Sequence, residues 1–357
     1  MAVEAETAVA EAAGAADPVA VVAETAAAEA IASFQIADEF FPQARKAPPS
    51  DPGLLFLDFR RKCYSEVASE CPMRFAVSFV LCFLVVLCVS GALRAQRPFQ
   101  EYPAIEYERF PKPPDWNEKT EWVRARLRYP DIYGYPDHNR FVMRDGSPFP
   151  GFWTMDYPRS DRHLLAGIRR LTRIDTRSVE QVVSLDGTDD IYNWPVIYGV
   201  EVGHWNLGDA EAKQLREYLL RGGFFMCDDF HGTDPYRGVP EWEIFTRSMS
   251  KVFPDRTIED IPDDDPIFHT IFDLQDRFQV PGAQYFETGL TYEAGDSGKV
   301  AHWRCIRDDK GRIMVAICHN MDLGDAWEWA DDPKYSEKWA SLAYRIAANY
   351  FVYDLTH

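Results

Sequence analysis

Residues 209–232 read DAEAKQLREYLLRGGFFMCDDFHG, and this stretch decides the fold. Leu215, Tyr218 and Leu219 recur at helical spacing and form one apolar stripe. Asp209 and Glu211 stand in the first turn, where the helix dipole favours acids, and Gly222-Gly223 ends the run. The spacing predicts a helix over Asp209–Arg221. Phe224–Cys227 follows as a short strand with no polar face, which only burial on both sides explains.

Working outward, the same alternation continues. Glu121–Tyr129, Val179–Leu185 and Val196–Val202 read as strands, the last nearly all apolar. Ser160–Arg173 reads as a helix opened by Ser160 and Asp161, and Trp242–Val252 as another. Lys299–Ile306 and Arg312–Cys318 pair around Asp309-Lys310-Gly311, and Glu337–Tyr353 closes the chain as a long amphipathic helix. Pro130–Met155, rich in Gly, Pro and aromatics, is expected as a long loop. Strands alternating with helices imply a mostly parallel, helix-covered α/β sheet over residues 121–357.

The N-terminal part has a different character. Residues 1–72 are largely Ala, Glu and Val at their start and offer little to bury, so a disordered acidic extension is expected, with a weak helix near Val21–Ala32. Phe75–Ala92 is an almost unbroken apolar run, FAVSFVLCFLVVLCVSGA. Met73-Arg74 precedes it and small residues follow, the order of a secretory signal peptide cut after Ala92 or Ala95, with residues 1–72 lying ahead of the true start. The alternative is a retained anchor flanked by Arg60, Arg61 and Lys62. Either way the large domain lies outside the cytoplasm, exported, periplasmic or membrane-anchored, and residues 73–95 contact the membrane only if they stay uncleaved. Residues 96–120, rich in Pro and aromatics, should run extended.

The chain has 357 residues, 57 acidic against 38 basic, and a formal net charge of -19. Such a balance argues against nucleic acid and an anionic membrane surface as main partners. Beyond the apolar run only Cys227, Cys305 and Cys318 remain, giving either one disulfide and a free thiol or three buried thiols.

Ligands of open α/β sheets bind beyond the carboxyl ends of the strands. Three ends here present a histidine: Gly203-His204-Trp205, Asp228-Asp229-Phe230-His231 and His319-Asn320-Met321-Asp322. Histidine with carboxylate suits a divalent metal or an acid–base pair. Asp229, His231, His319 and Asp322 are therefore the candidate catalytic residues, the first three also as metal ligands. His204, Trp205, Asp325 and Trp327 are the candidate substrate contacts. Read blandly, the acids are caps and turn-formers, Asp228 among them, and the tryptophans are packing. Cys227 lies beside two acids that disfavour a thiolate and reads as a core thiol. Asp263-Asp264-Asp265 reads as a solvated turn, since it lacks a calcium-loop pattern.

The strings DYPRSDRHL, YNWPVIYGVEVGHW, LREYLLRGGFFMCDDFHG, DDDPIFHTIF, VPGAQYF and ICHNMDLGDAWEWADDP make residues 121–357 resemble the domain of unknown function 4159 family of bacterial envelope proteins. AQRPFQEYP also looks like the usual mature start of such proteins. The family is similar in turn to the class I glutamine amidotransferase-like and ThuA-like superfamily, which implies a flavodoxin-like three-layer sandwich. The amidotransferase Cys-His-Glu triad is not recognisable, so the resemblance implies a fold rather than a reaction. The expectation is an envelope protein that is a metal-assisted hydrolase or carbohydrate-active enzyme, or else a non-catalytic module binding a glycan or protein.

Overall fold

The computed structural model describes residues 97–103, 111–132, 138–142, 148–233 and 238–357. The expected acidic extension and the signal or anchor segment lie outside them. Among the described residues no helix is long and apolar enough to cross a membrane.

The elements are β1 Ala125–Arg128, β2 His138–Val142, β3 Pro148–Phe149, α1 Arg159–Leu171, β4 Gln181–Ser184, β5 Val196–Val200, α2 Asp209–Leu220 and β6 Phe224–Asp228. They continue with α3 Glu241–Val252, β7 Glu259–Asp260, α4 Tyr285–Thr288, β8 His302–Arg307, β9 Ile313–His319, α5 Leu323–Glu328 and α6 Glu337–Thr356. Seven strands form one sheet in the order β4-β1-β5-β6-β9-β8-β7. The first five run parallel, with Val196 opposite Phe224 and Phe225 opposite Val315. β8 and β7 close one edge antiparallel, with Trp303 opposite Cys318 and Glu259 opposite Cys305.

The alternation of side chains along the buried strands supplies two cores, one on each face. Val196, Tyr198, Val200, Phe224 and Met226 pack with Leu164 and Ile168 of α1 and with Ile346 and Tyr350 of α6. Ile197, Phe225, Val315 and Ile317 pack with Leu215 and Leu219 of α2 and with Phe245 and Met249 of α3. Each fully buried Leu, Ile or Phe contributes roughly 1.5–3 kcal/mol by leaving water. A sheet covered on both faces leaves its strand ends as the place for chemistry.

Element ends move by a few residues from the sequence reading, most at β1, where the strand narrows to Ala125–Arg128. Two differences are larger. The expected loop 130–155 contains the antiparallel pair β2 and β3, with His138 opposite Phe149. The strand-end segment after β9 winds into α5, whose six residues are too few to show a helical period.

Candidate functional site

Glu201, Asp229 and Asn320 directly follow β5, β6 and β9, three adjacent strands, and all three have left-handed backbones, with φ of 51°, 52° and 61°. Side chains other than glycine adopt this region at a cost of about 1 kcal/mol or more, with Asp and Asn the most tolerant. Each kink folds the chain back over its strand end. Asp156, ahead of α1, has φ 59°. Arg126 steadies that segment, since its Nη1 donates to the carbonyls of Trp153 and Met155 while its guanidinium pairs with buried Asp161.

These turns bring acids together. Asp156, Asp229 and Asp322 are all buried, and each offers an oxygen within 4.8 Å of the others. Asp322 caps α5, its Oδ1 accepting the Asp325 N–H at 2.7 Å. Gly324 lies tight against Asp156, since a Cβ there would stand 2.2 Å from Asp156 Oδ2 and one of the two would have to shift. Burial first, then Glu201, Glu293 and Asp228, holds the Asp229 carboxyl well above the usual range. Burial and Asp229 do the same to Asp322. Two further groups converge within the same distance: Asp156 with Asp325 and Glu328, and Glu201 with His204 and Glu241. Asp325 is already engaged, accepting from Trp329 Nε1 and from the Ala283 N–H.

The residues expected from sequence fall into different settings. His231 Nε2 lies 3.1 Å from Asp229 Oδ1, and the His231 backbone N–H donates to Glu241 Oε2 at 2.6 Å. His319, expected as a metal ligand, belongs to none of the three converging groups found among the described residues. Its ring packs 4.8 Å from Phe230 and 4.9 Å from Trp242, and among the described residues neither nitrogen has a hydrogen-bond partner. Burial, with His302 and Arg304 nearby, pushes its pKa down to about 3, so the ring is neutral. Trp205 and Trp327, expected at a substrate rim, are instead fully buried. Trp205 stacks on Phe245 at 5.3 Å, and Trp327 meets Tyr198 edge-on at 5.7 Å, so each ring packs into one of the two cores. His204 stacks on Phe152 at 3.9 Å. Asp228 does cap a turn, though that of distant α5.

Cys227, Cys305 and Cys318 are free and buried, and burial pushes the Cys227 and Cys318 thiols well up. Asp265 caps a short 3-10 turn and pairs with Arg307, while Asp263 pairs with Arg277. Sequence reading missed Asp156, Glu201 and Glu241. A strand-end search could have found Glu201, which follows β5 directly, but Asp156 lies ahead of α1 and Glu241 opens α3.

A family model described as a domain of unknown function, DUF4159, matches residues 143–355. No curated protein matches the chain.

Proposed function

We propose that this chain, which belongs to the DUF4159 family, is a metal-assisted hydrolase acting on an envelope glycan or peptide. The observation that carries the reading is the convergence of Asp156, Asp229 and Asp322 in a buried space. Three like charges out of water need protons or a cation, and an all-oxygen set suits magnesium, calcium or manganese. Such a cation would polarise a substrate oxygen or lower the pKa of a water. His231, 3.1 Å from Asp229, is the base assigned to take that water's proton.

The finer fold assignment, a flavodoxin-like sandwich of the amidotransferase and ThuA type, is supported by the parallel strands with helices on both faces. Glutamine hydrolysis is disfavoured, since a fully buried thiol with a raised pKa is a poor nucleophile. Export is supported by the apolar run at Phe75–Ala92, and N-terminal sequencing of the natural protein should then find Leu93 or Gln96.

The test is calorimetric titration of chelator-treated protein with manganese, beside Asp229→Asn and Asp322→Asn. Binding in the wild type that weakens at least about tenfold in both variants supports the reading. Equal binding in all three proteins overturns it.

A further inference from the structure

We propose that a second cation, of the transition-metal class, binds at Glu201, His204 and Glu241. This site shares no ligand with the Asp156, Asp229 and Asp322 group. Glu201 and His204 come from the turn after β5, and Glu241 is the first residue of α3. His204 stands between the two carboxylates, with Nδ1 2.9 Å from Glu201 Oε2 and Nε2 4.0 Å from Glu241 Oε1. Each residue offers one ligand atom, His204 through one ring nitrogen, and the three lie within 4.8 Å of one another, so small side-chain rotations bring them to the roughly 3.3 Å spacing of ligands around a tetrahedral ion. One imidazole with two carboxylates suits zinc, cobalt or iron better than the all-oxygen trio does.

The surroundings hold each ligand in place. Gly203 leaves room for Glu241, since a Cβ there would lie 2.7 Å from Glu241 Oε2. The His231 N–H fixes the same oxygen at 2.6 Å. The Tyr129 hydroxyl lies 2.7 and 2.8 Å from the carbonyls of Val200 and Glu201, donating to one at a time, and so steadies the left-handed turn. The Glu201 side chain keeps 16% of its surface exposed, which leaves water a route to a fourth ligand position. The competing reading is a protonated His204 bridging two glutamates with no metal.

Chelator-treated full-length protein is titrated with zinc and separately with cobalt, read by calorimetry and by the cobalt visible spectrum. Wild type should bind both metals, and His204→Gln should weaken binding at least about tenfold and abolish the cobalt bands. Asp322→Asn should leave these bands in place. Where His204→Gln fails to fold, Glu241→Gln, which keeps an acceptor for the His231 N–H, gives the same reading. A wild type that binds no zinc, or a folded His204→Gln with unchanged affinity and bands, overturns the inference. Manganese binding that does not depend on Asp229 and Asp322 counts against the proposed hydrolase centre alone and leaves this one standing.

Discussion

Asp228 Oδ2 accepts the backbone N–H groups of Leu323 and Gly324, at 2.7 and 3.1 Å, so the last residue of β6 caps the helix after β9. That bridge between neighbouring strand ends sets Asp322 opposite Asp229. Burial pushes the Asp228 carboxyl up to about 6 even with these hydrogen bonds in place.

Asp228→Ala should therefore destabilise the fold by about 2–4 kcal/mol, because two buried N–H groups lose their partner. Asp228→Asn keeps an acceptor and should cost about half as much. Urea denaturation of the three proteins checks the order. Equal midpoints for wild type and Asp228→Ala would count against the bridge.

Gly324→Ala tests the crowding beside Asp156. A methyl 2.2 Å from the carboxylate must displace it, and overpacking of this kind costs about 1–3 kcal/mol. The expected result is a lower melting temperature together with weaker manganese binding. A variant that melts and binds like the wild type would show that the carboxylate yields freely.

The sheet was legible because its buried strands are short apolar runs and α2 carries a clean stripe ending at Gly222-Gly223. Asp229 and Asp322 were reachable through the strand-end rule alone. Asp156 and Glu241 were not, since nothing local to DYPRS or PEWE marks an acid that meets a strand end far along the chain. Trp205 and Trp327 misled for a related reason: a tryptophan after a strand looks the same in sequence whether its ring faces solvent or Phe245.

The thiols should be inert in the folded protein. Cys227, Cys305 and Cys318 are fully buried, and burial disfavours the thiolate that alkylation needs. Brief iodoacetamide treatment followed by peptide mapping should leave all three unmodified until urea is added. Rapid native labelling of Cys227 would contradict its place in the core.

Asp354, near the end of α6, offers a pH test away from the candidate ligands. Its Oδ1 lies 3.3 Å from Arg312 Nη1, yet burial outweighs that pairing and pushes the carboxyl up to about 7. The folded chain thus holds this proton more tightly than the unfolded chain, where the group titrates near 3.8. Its stabilising effect is complete below that value and is lost as pH rises through about 7, at up to about 1.4 kcal/mol per pH unit. Asp354→Asn fixes a neutral side chain, so its stability should fall less steeply between pH 4 and 7 and exceed that of the wild type by about 1–2 kcal/mol at pH 8. Urea midpoints across that range measure both slopes. Parallel curves would mean that Arg312 keeps Asp354 ionised throughout, and that the ion pair rather than burial governs this end of the helix.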